Sequence, residues 1–89
     1  MQEMVEEWII VWFSNQTGVS REEVEKNKNT SYFSTGWLDS FSFISFITAC
    51  EETYNIRFTN DSFQDRGFST IEGLAKIITK LKNGDRIEL

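Results

Sequence analysis

The stretch Gly36-Trp37-Leu38-Asp39-Ser40-Phe41 is where a run of mostly polar loop residues gives way to an apolar, aromatic one: Phe41, Phe43, Ile44, Phe46 and Ile47. Gly36 supplies turn freedom. Asp39 and Ser40 are both residue types whose side-chain oxygens accept from the free N–H groups of a helix's first turn. Leu38 stands just outside that cap, placed to pin the loop to the body of the fold. On these six residues alone two readings stand. One is a well-capped helix; the other is a serine hydroxyl held at the lip of a helix for covalent modification.

Downstream, the spacing predicts a helix over 40–54. At 100° per residue Phe43, Phe46, Ile47, Cys50 and Tyr54 share one face, the expected core face. The opposite face carries Ser42, Ser45, Thr48 and Glu52, with Glu51 and Ile44 at its flank. Phe41 falls on this polar side, where burial does not account for it. It is either a partner contact or a ring folded against Trp37 or Tyr32. Cys50 lies mid-helix on the apolar face of a chain without histidine, which marks an inert core thiol.

Upstream, residues 15–39 form a long connection for so small a protein, and long connections tend to be functional or to wrap a core. Inside it Ser20-Arg21-Glu22-Glu23 fits a capping box opening a short turn through Lys26, with Val19 and Val24 to tuck it down. Tyr32, Phe33 and Trp37 are expected to fold back as anchors. Before the connection, residues 2–14 read as a helix. Its inner face is Val5, Trp8, Ile9 and Trp12, and Glu3, Glu6 and Glu7 lie opposite. Asn15 to Gly18 is its stop.

After Asn55, which closes the second long helix, Ile56-Arg57-Phe58 is a short extended link. Asn60-Asp61-Ser62-Phe63-Gln64 reads as a cap plus one helical turn. The run Asp61 to Gly67 has some of the look of a calcium loop. It fails, because placing Gly67 at the turn position puts Gly73 where a bidentate Glu is required. Ser69-Thr70-Ile71-Glu72 is a second capping box. It opens a last helix with Ile71, Leu74, Ala75, Ile78 and Leu81 inward, Lys76, Lys80 and Lys82 toward its end, and Gly84 as the stop.

Bulk properties narrow the function. At 89 residues the expectation is one domain over 1–89 with one modest core. The chain has no histidine and one cysteine. That removes Ser-His-Asp and Cys-His nucleophiles, zinc sites with His ligands, thiolate clusters and any internal disulfide, and nothing in the chain activates a nucleophile. An enzyme is therefore not expected. A net charge of -5 argues against nucleic acid as partner. No run is long enough to span a bilayer, and the N-terminus opens with acids rather than a basic signal region. Cytoplasm and a monomer are the default expectations. The charge is uneven: residues 1–75 hold twelve acids and five bases, and residues 76–89 hold two acids and four bases. An acidic body suits basic partner surfaces, and equally a merely solvated face.

The order of these elements, with Gly36-Trp37-Leu38-Asp39-Ser40-Phe41 at the head of the second long helix, resembles the acyl carrier and peptidyl carrier protein family. The family's Asp-Ser motif is followed by a large apolar residue, usually Leu and here Phe41. Ala49-Cys50-Glu51-Glu52-Thr53-Tyr54-Asn55-Ile56 resembles the family's acidic helix end and following turn. Phe68-Ser69-Thr70-Ile71-Glu72-Gly73-Leu74 resembles the opening of its last helix. The resemblance implies an all-α four-helix bundle, three long helices and one short one, with a long first loop. It also implies a stand-alone carrier whose Ser40 receives 4'-phosphopantetheine from coenzyme A through a phosphopantetheinyl transferase. The arm's thiol would hold an acyl or aminoacyl cargo as a thioester between loading and transfer enzymes. Asp39, Phe41, Ser42, Ser45, Thr48, Glu51 and Glu52 are the expected partner surface. Where fatty-acid carriers show carboxylates on the first exposed turns of this helix, this chain has Ser42 and Ser45, which suits a dedicated carrier in a specialised pathway. The rival reading is a small helical adaptor in which Asp39-Ser40 is only a cap.

Overall fold

The computed structural model describes residues 2–83; the expected stop at Gly84 lies outside the described residues. Helix α1 (Gln2–Thr17) runs past the expected end because its polar tail satisfies itself. The Thr17 hydroxyl donates to the Phe13 carbonyl at 2.7 Å and the Ser14 hydroxyl to the Val19 carbonyl at 2.7 Å. Only Gly18, at φ 78°, turns the chain away. The inner stripe also differs from the expected one. Val5, Ile9, Ile10 and Phe13 are buried, whereas Trp8 and Trp12 are half-buried at the seam with the next long helix. The indoles are too large for the centre, and they close the edge instead: Trp8 meets Tyr54 edge-on at 5.7 Å and Trp12 lies against Phe46 at 4.7 Å.

Helix α2 (Arg21–Lys26) is the expected short turn, with the Ser20 hydroxyl accepting from the Glu23 N–H. Val24 is its buried foot, and Arg21 pairs with Glu7 of α1. The long connection is then laid across the core and fastened by Tyr32. That ring is fully buried against Phe13 and Phe46, its N–H donates to the Ser69 carbonyl at 2.9 Å, and its hydroxyl donates to the Phe68 carbonyl. A second tie runs from the Glu72 N–H to the Lys28 carbonyl at 3.0 Å. Leu38 is buried and Trp37 half-buried, so three of the loop's apolar residues anchor it. Phe33 does not: it is 46% exposed.

Helix α3 (Ser40–Tyr54) has the expected bounds, and Asn55 ends it in the left-handed conformation at φ 55°. Phe46 and Cys50 are buried, with Phe43, Ile47 and Tyr54 half-buried beside them. Helix α4 (Asn60–Gln64) is capped one residue earlier than expected, by Thr59, whose hydroxyl and that of Ser62 form a reciprocal box. A 3-10 turn (Arg66–Ser69), not anticipated, follows and buries Phe68. Helix α5 (Ile71–Lys82) is capped by Thr70, whose hydroxyl accepts from the Gly73 N–H at 3.0 Å. Ser69, the expected cap, lies in the 3-10 turn and offers its carbonyl to Tyr32. The turn presses closely on α5: a Cβ at Gly73 would sit 2.3 Å from the Gly67 carbonyl oxygen. The result is the expected all-α bundle, in which α1, α3 and α5 share one core with no strand among the described residues.

Candidate functional site

The head of α3 assembles from the loop inward. Gly36, at φ 80°, makes a turn that an L side chain would strain. Leu38, 5% exposed, plugs the chain into the core two residues before the helix begins. Asp39 then stands in extended conformation (φ -103°, ψ 178°) as the cap, its carboxylate accepting from the Ser42 N–H at 2.8 Å. That backbone hydrogen bond, with a smaller contribution from the Ser42 side chain, holds the Asp39 carboxyl below the ordinary carboxylate range. The capping duty therefore falls on Asp39. Ser40, the first helical residue, is exposed and its hydroxyl is not needed to start the helix.

The expected surface residues divide into two groups. Phe41 is 82% exposed, so of its two possible places the open one holds. With it on one arc of α3 stand Ser45, Thr48 and Glu52, all exposed, and Ile44 at 66%. Ile44, at the flank of this face as expected, adds an exposed apolar side chain three residues after Phe41. Ser42 is half-buried with its N–H held by Asp39. Glu51 is half-buried and its carboxylate accepts from the Phe58 N–H at 3.0 Å. It ties down the link after α3.

The remaining chemistry is sparse. Burial, then the Glu51 charge, pushes the Cys50 thiol up to about 12, so the chain's own thiol is inert at neutral pH. No group of three or more His, Cys, Asp or Glu among the described residues is placed to hold a metal. No helix among them is long and apolar enough to cross a membrane.

The family model described as the phosphopantetheine attachment site matches residues 7–78, from within α1 to within α5. The chain belongs to this family of carrier domains. No curated protein and no solved structure matches it. Carrier domains of this family bear a covalently attached 4'-phosphopantetheine and meet phosphopantetheinyl transferases and biosynthetic enzymes. The donor set here fits that group. A phosphodiester needs one accessible hydroxyl, and the lip of a 15-residue helix offers it at the positive end of the helix dipole, although the Ser42 N–H is held by Asp39, whose charge opposes a phosphate.

Proposed function

We propose that this carrier domain takes its arm on Ser40. The observation that carries the reading is the division of labour at the head of α3: Asp39 caps the helix and leaves the Ser40 hydroxyl exposed and uncommitted. In the transferase complex the Ser40 Oγ attacks the pantetheine-side phosphorus of coenzyme A. The Oγ–P bond forms, the pyrophosphate bridge breaks, adenosine 3',5'-bisphosphate leaves, and the hydroxyl proton passes to a base of the transferase. This chain supplies the hydroxyl and its orientation. When bound, the arm supplies a thiol that holds an acyl or aminoacyl cargo as a thioester, and the partner enzymes supply the catalysis.

The partner surface in this reading is Asp39, Phe41, Ser42, Ser45, Thr48 and Glu52, joined by Ile44. The half-buried Glu51 carboxylate acts through the link it fastens. An apolar centre with one flanking acid at each end suits a dedicated pathway whose enzymes offer an apolar recess, rather than enzymes that select rows of carboxylates. In this reading residues 1–89 hold one carrier domain that works in the cytoplasm as a monomer, and each enzyme releases it before the next binds. Intact mass after incubation with coenzyme A and a broad-specificity transferase tests the reading. One arm's gain on the wild type and none on Ser40→Ala is the expected result. No gain on the wild type leaves a helical adaptor.

A further inference from the structure

Helix α1 carries apolar side chains on two sides. The inner stripe fills the core, but Met4, Trp8 and Val11 form a second line along the outside of the helix. Met4 is 72% exposed, and Trp8 and Val11 are half-buried, so the line meets solvent over about two turns. One exposed methionine is ordinary; a line of three joined to the half-buried Trp12 is a patch. Its large rings are held in place. Trp8 is fixed edge-on by Tyr54 at 5.7 Å, and Trp12 lies on Phe46 at 4.7 Å. A ring already immobilised loses little freedom when a partner covers it. Met4, at the end of the line, adapts to the shape that meets it.

Charge decides what covers this line. Along one flank stand the exposed Glu3 and Glu7 of α1, with Glu22 and Glu25 of α2 around the same corner. Residues 1–26 hold six acids and two bases, and one of those bases, Arg21, is already paired with Glu7. A second copy of the chain fits poorly, because an antiparallel pair about a two-fold axis sets the acidic flank of one α1 against that of the other. The same flank repels an anionic lipid surface. An apolar ridge with lysines or arginines beside it fits, and a row at helical spacing on a helix is met by another helix.

The line is also remote from the serine. Tyr54 meets Trp8 while Phe46 meets Trp12, so α1 and α3 run antiparallel along their seam and Met4 lies toward the far end of α3. That helix is 15 residues long, which puts Ser40 about 20 Å from Tyr54 along its axis. We infer that the outer line of α1 is a second docking surface, and that it holds an amphipathic helix of a partner protein whose basic residues flank an apolar ridge. A partner held there keeps the carrier in an assembly while Ser40 and the arc of Phe41 and Ile44 stay open to successive enzymes. The surface does not depend on the arm, since Ser40 takes no part in it.

The test titrates the carrier with a synthetic helical peptide of leucine and lysine. A scrambled peptide of the same composition and a version with glutamate in place of lysine are the controls. Backbone amides and the Trp8 indole N–H are followed by NMR, and the free carrier is sedimented alongside. The helical lysine peptide is expected to move the amides of residues 4–12 and the Trp8 indole while Ser40 and Phe41 stay in place. The two controls are expected to move neither. Met4→Glu places an acid near a helix N-terminus, where it is tolerated, and so keeps the fold. It is expected to weaken the peptide roughly three- to tenfold through the lost apolar contact, whereas simple charge attraction would tighten binding. Glu3→Lys is expected to weaken it too and to flatten its salt dependence. Equal binding of the scrambled peptide, shifts at Phe41 and Ile44 in place of α1, or a tighter Met4→Glu complex each overturn the inference. A free carrier that sediments as a dimer until Met4 is replaced overturns it as well, since α1 would then cover itself.

Discussion

Because the capping hydrogen bond at the head of α3 belongs to Asp39, Ser40→Ala is expected to change stability by no more than about 0.5 kcal/mol while abolishing modification. Urea unfolding and intact mass on the same sample check both halves. Asp39 carries the opposite expectation. Asp39→Ala lowers the thermal midpoint, while Asp39→Asn keeps an accepting oxygen and loses only the charge. The folded-state carboxyl titrates below the ordinary range, so its charge-dependent stabilisation is present above that range and is lost as pH falls through the folded value. The midpoints of wild type and Asp39→Asn should therefore converge on acidification. A gap that persists to low pH would show that charge is not what the cap contributes. Cys50 behaves in reverse: with its thiol pushed up to about 12, stability is full below the ordinary thiol value and declines as pH rises toward the folded one. In the native protein at pH near neutral it should resist a thiol reagent, and Cys50→Ala should still accept the arm. In the sequence only the expected helix start at residue 40 separates Asp39 from Ser40. Both are capping residues, and a one-residue shift in the helix start exchanges their roles.

Among the elements, the 3-10 turn and α5 are locked by a glycine pair. With only 2.3 Å between a Cβ at position 73 and the Gly67 carbonyl oxygen, Gly73→Ala must push turn and helix apart, at a cost of about 1–3 kcal/mol in urea unfolding. An unchanged urea midpoint would mean that the turn yields freely. Tyr32→Phe strips the buried Phe68 carbonyl of its donor and should cost about 1–3 kcal/mol. Helix α3 was legible to its bounds because its periodicity is long and both ends are punctuated, by Asp39 and by Asn55. The inner face of α1 was not. Tryptophan scores as apolar in any pattern, yet its bulk sends it to a seam while Val5, Ile9, Ile10 and Phe13 fill the centre. The 3-10 turn is too short to leave a period. At Thr59-Asn60 and Ser69-Thr70 two capping types stand side by side, and tertiary contacts chose between them. The half-buried role of Glu51 was hidden because its partner, the Phe58 N–H, lies beyond the helix end.

For the molecule as a whole, the open arc of α3 is the surface proposed to meet partners. Phe41→Ala and Ile44→Ala remove exposed side chains, so the fold should survive while transfer by a cognate enzyme slows, chiefly through faster dissociation. Glu52→Lys should instead slow association with a basic partner and weaken its salt dependence. Unchanged transfer by both alanine variants would move the recognition surface elsewhere. The fastening of the long loop has a consequence for biosynthesis. Its ties reach from Tyr32 to Phe68 and Ser69 and from Lys28 to Glu72, and the Tyr32–Phe68 bond alone spans 36 positions. Helices α1 to α3 can form locally as the chain leaves the ribosome, and Tyr32 and Trp37 can already pack on them, but the loop gains these backbone ties only once residues 68–72 are made. Such distant closures come late in folding. A nascent chain halted before residue 68 would display the Asp39-Ser40 pair on a loop held by its packed side chains alone. The loop that leads to the serine is thus fully fastened only after residues 68–72 have been made, which sets an order between their folding and any modification.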